Sequence, residues 1–428
     1  MLTAPISLYL LLSLVNSVIL WLLMRLSRKG LGCLFTYPIF FHLGINYVGV
    51  TSVILTQNNI TKIGVEFNSQ LVNSLSIEFS VSWLILLILI TLTFGFERGK
   101  FRVESHLDYF RSIAAETNNK RLFYIAIFLL LFDTFYYGIP PGLVLVTKGV
   151  SEALQTKGVI LISKMESGIP LIGYLVRYLP MIALVHSLLY FIFSGKRNKI
   201  HLYLLLTFAI YSVLSLIKSY LILPVGFLVF LLFTLGRVYQ PRKQKILISF
   251  LLFCCILPFT LLSGDDVLQS MLARLLFIQH EGMFLIRDLY DQPSVQFFLY
   301  SSPLRHLTGS TTIDPAAAVV EHYFGRDTGW VNVNSFYSGQ GYTMFGNGYI
   351  IIIPLIYCIS LVLSFNFSKL FLSRSMSIIV VGAVNLFVPL SNNIANLVWG
   401  KEFFAVLIIS IFLRIFLRQA PNVKDRKL

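Results

Sequence analysis

The chain has 428 residues, of which 56% are hydrophobic and only 12% are charged. A soluble domain carries about 25% charged residues, so the composition excludes an ordinary soluble protein and favours a helical membrane protein. The formal net charge of +15 does not indicate a nucleic-acid partner, because the basic residues are spread over short segments between apolar runs, as the positive-inside rule describes.

Apolar runs recur along the whole chain, and we interpret them as about eleven transmembrane helices of an all-α, polytopic fold. The run over 201–236 is too long for one crossing, since a span needs about 20 residues. We therefore predict two short helices there, with Lys218 at the apex of the hairpin. The predicted spans cover 3–24, 31–55, 78–95, 122–146, 169–194, two helices within 201–236, 246–262, 349–365, 376–390 and 403–417.

The distribution of basic residues predicts the orientation. One alternating set of connections holds most of the 34 Lys and Arg residues, and that set is expected in the cytoplasm. The N terminus and the large polar segment 263–347 are then outside, and the C terminus is inside. We divide the chain into eight spans over 1–262, the large loop over 263–347, and three spans with a cytoplasmic tail over 348–428.

The large loop is the only long segment whose charges could not lie in a bilayer. Residues from Asp265 to about Leu289 are predicted to form a helix, and prolines and glycines divide the rest into turns and short pieces. Aromatic residues alternate with the charged ones; they either stack on sugar rings or form the core of the loop. A charged loop on an apolar scaffold is a common place for chemistry.

Two cations in the membrane-spanning part are candidates for binding an anion. Arg177 lies about eight residues into the fifth span, and Asp133 lies near the middle of the fourth. Charges inside a membrane are costly, so Arg177 either forms a structural ion pair with Asp133 or faces a cavity and binds an anion. Lys218 either extends to the membrane interface or directs its charge into an outward-facing cavity.

The loop supplies further candidates for both anion binding and proton transfer. Arg binds phosphate through two parallel hydrogen bonds, whereas Glu and neutral His can accept a proton. The alternative is that these charges are only solvated. The predicted anion ligands of the loop are Arg274 as the first choice, Arg287 as a weaker one, and Arg305 and Arg326; the predicted bases, without ranking, are Glu321, His306 and His322.

Metal or cofactor chemistry is not indicated by the sequence. It contains no phosphate-binding glycine loop, no nucleophile elbow and no spacing typical of metal ligands. Its cysteines, at positions 33, 254, 255 and 358, all lie in apolar runs, where they are expected as small core residues. We therefore expect neither a metal nor a cofactor.

The architecture and the exit from the large loop resemble the O-antigen polymerases. The stretch Gln340 to Gly348, QGYTMFGNG, runs directly into an apolar span, and members of this family often leave their periplasmic loop through a similar Gly, aromatic and Phe-Gly pattern. Lys218 and Ser219 resemble a short basic turn of the relatives. One departure is that some members carry an Arg followed eleven positions later by Gly in their periplasmic loops, and no Arg here has this spacing.

The resemblance implies an inverting, metal-independent glycosyltransferase of the bacterial inner membrane. Donor and acceptor would be glycans on undecaprenyl diphosphate, joined on the periplasmic face, with the lipid bilayer and a chain-length regulator as partners. The cations named above would neutralise the departing diphosphate, and Glu321, His306 or His322 would take the acceptor proton. The alternatives are an O-antigen ligase, which shares the chemistry, and a flippase or exporter of lipid-linked sugars, which would be expected to lack the large outside loop.

Overall fold

The computed structural model describes residues 4–27, 32–55, 68–95, 120–166, 170–193, 199–216, 226, 281–299, 302, 314–325, 336–386 and 394–417. All regular secondary structure within these ranges is helical. The predicted all-α class is therefore confirmed.

The helices of the first part of the chain are α1 (Ala4–Ser27), α2 (Gly32–Leu55), α3 (Ser69–Gly95), α4 (Lys120–Phe135), α5 (Pro141–Lys148), α6 (Val150–Glu166), α7 (Pro170–Phe193) and α8 (Lys199–Ser215). Those of the second part are α9 (Glu281–Leu289), α10 (Val295–Leu299), α11 (Pro315–Phe324), α12 (Phe336–Phe345), α13 (Tyr349–Phe371), α14 (Arg374–Asn385), α15 (Ala395–Val398) and α16 (Lys401–Leu417). A 3₁₀ turn, Gly346–Gly348, joins α12 to α13.

Four stretches of the described ranges are long and apolar enough to cross a membrane: Pro5–Leu23, Tyr37–Ile54, Ser69–Thr93 and Tyr337–Phe371. The helices α8 and α14 are shorter but also apolar. A span needs about 20 apolar residues, so these helices indicate a multi-pass membrane protein.

The predicted fourth span, 122–146, is not one continuous helix. Helix α4 ends at Phe135, Gly138 has a φ of 121°, and α5 starts anew at Pro141. Pro140 and Pro141 cannot donate the backbone hydrogen bonds that a continuous helix requires, whereas a proline fits the first position of a new one. The segment predicted as a connection from Thr147 to Gly168 is largely the helix α6.

Helix α8 ends close to the predicted apex of the hairpin. Its last residue is Ser215, and Leu216 adopts the left-handed conformation with a φ of 52°, which is uncommon for a residue other than glycine. The Leu216 carbonyl accepts a hydrogen bond from Lys157 Nζ at 3.0 Å. The regular helix is therefore interrupted at Leu216, two residues before Lys218. Lys218 itself lies outside the described residues.

Buried polar side chains join the helices at the centre of the bundle. Asn16 on α1 donates to the Ser80 carbonyl on α3 at 2.9 Å. Tyr337 on α12 donates to Ser82 Oγ at 2.8 Å, and Ser82 donates onward to the Ile350 carbonyl of α13 at 3.0 Å. Within a bilayer such groups have no water to bind, so they must be satisfied by neighbouring helices.

The short helices α9 to α12 pack together at one end of the bundle, which we call the loop end. Helix α9 contacts α3, α11 and α12, and α10 contacts α12. Trp399, just before α16, donates from Nε1 to the Phe298 carbonyl of α10 at 2.9 Å. The beginning of α16 therefore also lies at the loop end. Of the helix predicted from Asp265 to Leu289, the described part is α9, and it is helical.

Candidate functional site

An ion pair between Glu78 of α3 and Arg287 of α9 fixes the loop end to the bundle. Arg287 Nη1 lies 3.3 Å from Glu78 Oε2, and the two side chains are only 12% and 19% exposed. Tyr349 donates to the same oxygen at 3.2 Å, and Ser74 donates to Glu78 Oε1 at 3.1 Å. Both carboxylate oxygens therefore have partners. We call Ser74, Glu78, Arg287, Tyr342 and Tyr349 the loop anchor.

Tyr342 completes the loop anchor from α12. The guanidinium carbon of Arg287 lies 3.3 Å from the centre of the Tyr342 ring, a cation–π contact. The Tyr342 hydroxyl donates to the Asp291 carbonyl at 2.6 Å. Arg287, a predicted substrate ligand, is thus in contact with a carboxylate and an aromatic ring, and its role towards substrate stays a prediction.

Helix α9 presents Arg287 because its apolar residues are buried. Met283, Phe284, Leu285 and Ile286 are each at most 1% exposed. A helix of nine residues is marginal on its own, so tertiary packing determines where it lies. The position of the Arg287 guanidinium therefore follows from burial of the preceding turn.

Helix α11 carries two of the predicted bases on its exposed last turn. Glu321 and His322 are both exposed, and the His322 ring contacts the ring of Tyr323 at 4.7 Å between centres. Tyr323 donates to Asp288 Oδ2 of α9 at 2.6 Å, so α11 is joined to the helix of the loop anchor. Burial, followed by the Asp288 carboxylate, raises the pKa of Tyr323 above its ordinary value.

The other five predicted site residues of the loop and the hairpin cannot be placed. The third base candidate, His306, lies outside the described ranges, and so do the cations Arg274, Lys218, Arg305 and Arg326. Their assignment as bases or anion ligands stays a prediction.

Arg177 belongs to a second cluster, where α7 packs against α16. It is exposed on α7, and α16 carries Glu402. The positive charge of Arg177 acts on the Glu402 carboxyl, and both charges act on the hydroxyl of Tyr174, one helical turn before Arg177. We call Tyr174, Arg177 and Glu402 the bundle cluster.

Asp133 was the residue predicted as a partner of Arg177. Its helix, α4, does pack against α7. The Asp133 carboxylate, however, accepts a hydrogen bond at 2.6 Å from Tyr211 on α8. The charge of Arg177 also acts on the Glu402 carboxyl, and an interaction between Arg177 and Asp133 stays a prediction.

Glu402 was not singled out from the sequence. It is 6% exposed, and its Oε2 atom makes no hydrogen bond to a described residue. The signal in the sequence was a carboxylate next to Lys401, in the first turn of an apolar run. The predicted span began at residue 403 and therefore excluded Glu402. Buried carboxylates without a full set of partners are uncommon and often functional.

The bundle cluster can bind an anion at its exposed guanidinium while it keeps a carboxyl buried beside it. Among the residues whose placement is described, no three His, Cys, Asp or Glu side chains lie close enough together to hold a metal ion. Comparison of the chain with protein families, with curated proteins and with solved structures finds no match. The function therefore has to be inferred from the geometry of the two clusters.

Proposed function

We propose that this protein is a multi-pass enzyme of the bacterial inner membrane, with about eleven spans, that joins lipid-linked oligosaccharide repeat units as an O-antigen polymerase does. The large loop lies on the periplasmic side, and the substrates are glycans on undecaprenyl diphosphate. The apolar helices, the excess of basic residues on one side and the resemblance of the loop exit support this proposal.

The observation that carries the proposal is an exposed arginine within a bundle of apolar helices. Arg177 is exposed although the next residues of α7, from Tyr178 to Tyr190, are all buried. A lipid-linked diphosphate is an anion that is held at the membrane surface by its lipid, where an exposed guanidinium can bind it. The planar guanidinium binds such a group through two parallel hydrogen bonds.

In the proposed reaction an acceptor hydroxyl forms a bond to the anomeric carbon of the donor sugar, while the bond from that carbon to the diphosphate oxygen breaks. The electron pair stays on the diphosphate, and Arg177 stabilises the developing charge. The hydroxyl proton passes to a base, for which the exposed Glu321 and His322 are the described candidates. Lys218 and Arg274 are proposed to add positive charge on the outer side.

The loop anchor positions the loop for this reaction. Arg287 and Glu78 join α9 to α3, and Tyr323 joins α11 to α9. The base candidates on α11 are therefore connected to the membrane helices through a chain of direct contacts. A catalytic group must be held within about 1 Å of its productive position, and such contacts supply that restraint.

The stretch that resembles the polymerase family contacts several other parts of the structure. Gln340 Oε1 accepts a hydrogen bond from the backbone of Ile394 at 2.7 Å, and Tyr342 lies against Arg287. A Cβ on Gly341 would lie 3.1 Å from Tyr349 Cβ and 3.3 Å from Ile353 Cγ1. The stretch thus forms a close contact between α12 and α13 that closes the loop onto the bundle.

The bundle cluster also favours a second candidate, an exporter of lipid-linked sugars. Carboxyls buried among membrane helices are typical of proton-coupled transport, and Glu402 is such a group. The O-antigen ligase remains a further alternative, because the same chemistry serves both enzymes.

The lipopolysaccharide banding pattern of a strain that lacks the protein separates these functions. A lipid core that carries one repeat unit means polymerase, whereas a bare core means ligase or exporter. Complementation with Arg177→Ala at normal protein level should not restore long polymer; polymer of normal length would show that Arg177 is not at the site.

Reporter fusions test the orientation on which the proposal depends. A reporter near Gln292, which is exposed beside α9, should be active only outside the cytoplasm, and one near Glu104 only inside. The opposite pattern would exclude a periplasmic active site at the loop end.

A further inference from the structure

A small cavity lies between α13, α14 and α16, next to the bundle cluster, and its surface is mostly apolar with a few polar groups. Its volume is about 20 Å³, and its polar lining consists of Tyr357, Ser360, Ser364, Asn385 and Glu402. A polar cavity of at least about 10–15 Å³ can hold one water molecule if two or more groups bind it. The cavity therefore has room for one ligand of that size.

Two buried atoms in the lining have complementary requirements. Glu402 Oε2 is an acceptor and Asn385 Nδ2 is a donor, and neither makes a hydrogen bond to a described residue. Asn385 is only 3% exposed, and Tyr357 donates to its Oδ1 at 2.6 Å, which leaves the NH₂ group as the unused end of the amide. Water can donate to Glu402 and accept from Asn385, whereas a metal cation could not accept from an N–H group.

The charge state of Glu402 depends on a balance between burial, a backbone hydrogen bond and nearby cations. Burial disfavours the charged carboxylate, whereas a hydrogen bond from its own backbone and then the charges of Arg177 and Lys401 favour it. Among the described residues, the hydroxyls of Tyr174 on α7 and Tyr357 on α13 are further titratable groups that face this region. A change in the charge at Arg177 must therefore alter the tendency of Glu402 to bind a proton.

We propose that Glu402 is a proton-binding residue that exchanges its proton through a water molecule held by Asn385, and that it takes up a proton when an anion binds to Arg177. This inference rests on the proposed binding of a diphosphate by Arg177. A bound anion cancels the field of the guanidinium at Glu402 and adds negative charge of its own, so the neutral carboxyl becomes favoured. Because linkage is reciprocal, protonation of Glu402 in turn tightens anion binding at Arg177.

Titration calorimetry of the purified full-length protein with inorganic pyrophosphate tests this linkage. Binding heats measured at one pH in two buffers with different ionisation enthalpies report the number of protons taken up. We expect more uptake in the wild type than in Glu402→Gln, and the protons exchanged by pyrophosphate itself cancel in this difference. The neutral variant should also bind pyrophosphate severalfold more tightly, with a weaker dependence on pH.

Asp133→Asn is the matched control, because the Asp133 carboxyl accepts a hydrogen bond from Tyr211 and does not line the cavity beside Glu402. It should take up protons as the wild type does. Asn385→Leu, which removes the donor to the water, should lower the proton uptake and serves as the test if Glu402→Gln does not fold.

The possible outcomes separate this inference from the function on which it rests. Equal proton uptake by wild type, Glu402→Gln and Asn385→Leu, with pyrophosphate bound in all three, would overturn the proton linkage and leave the anion site standing. Pyrophosphate binding that is absent from the wild type, or unchanged in Arg177→Ala, would overturn both proposals.

Discussion

The loop anchor and the bundle cluster each combine an arginine with a glutamate from another helix, but they differ in how completely the glutamate is bonded. In the loop anchor, Glu78 is in direct contact with Arg287, and each carboxylate oxygen has a partner. In the bundle cluster, Oε2 of the buried Glu402 has no described partner, and Arg177 is exposed.

This difference suggests different roles for the same pair of residue types. A fully bonded pair holds two elements together, because removal of either member leaves the other buried without a partner. A buried carboxylate oxygen without a described partner leaves hydrogen-bonding capacity available for a ligand. We therefore expect substitutions in the loop anchor to change stability and substitutions in the bundle cluster to change activity.

The largest effect is expected from Glu78→Ala. It removes the partner of Arg287 and the acceptor of Tyr349 and Ser74, and loss of one member of a buried pair costs about 3–5 kcal/mol of unfolding free energy. The midpoint of unfolding in a denaturing detergent measures it. Glu78→Gln, which keeps an acceptor for the two hydroxyls, should lose clearly less; if Glu78→Ala is as stable as the wild type, the loop anchor does not hold the loop.

Gly341→Ala should disturb the same anchor from the side of α12. The new methyl group would be 3.1 Å from Tyr349 Cβ, so Tyr349, which donates to Glu78, must give way by a few tenths of an ångström, and overpacking of this kind costs about 1–3 kcal/mol. The same unfolding assay measures the loss. The control is Gly44→Ala in α2, where nothing lies within 4 Å of the new Cβ and stability should stay equal or rise; similar losses for the two variants would contradict the close contact.

Arg177→Lys tests whether a substitution in the bundle cluster changes activity rather than stability. Lysine keeps the positive charge beside Glu402 but lacks the planar fork, so polymer formation should fall about tenfold, equivalent to about 1.4 kcal/mol of transition-state stabilisation. Stability should change by less than about 0.5 kcal/mol, since the charge is retained. Polymer yield per folded protein and the unfolding midpoint are measured together, and a loss of stability without a loss of specific activity would make Arg177 a structural residue.

The smallest effect is expected from Tyr323→Phe at the outer rim of the loop end. It removes one hydrogen bond from the half-buried Tyr323 to the exposed Asp288, which contributes about 0.5 kcal/mol. Hydrogen exchange should be faster in the backbone of α11 than in the wild type and unchanged in α9. The control Tyr203→Phe, on the exposed surface of α8, should alter neither; faster exchange throughout α9 as well would show that α11 helps to hold the loop anchor.

Local sequence patterns were sufficient for the helical class and for the position of several helices. The predicted spans 3–24, 31–55 and 403–417 correspond closely to α1, α2 and α16, because length and apolar composition decide what can lie in a bilayer. The span 122–146 was predicted as one helix, and its interruption was missed although it follows from Gly138, Pro140 and Pro141. Proline and glycine act on their own backbone, so their effect can be predicted without knowing which residues pack around them.

The sequence by itself therefore determined an all-helical, strongly apolar chain with one charged loop, since these properties depend on composition and on residues a few positions apart. Tertiary structure decided which charges meet. Arg287 pairs with Glu78 across 209 positions of the chain, and the charge of Arg177 acts on Glu402, a residue that the sequence did not single out. Such pairs depend on which helices pack together and on which faces they present, and apolar side chains of many kinds satisfy those contacts equally well in a membrane.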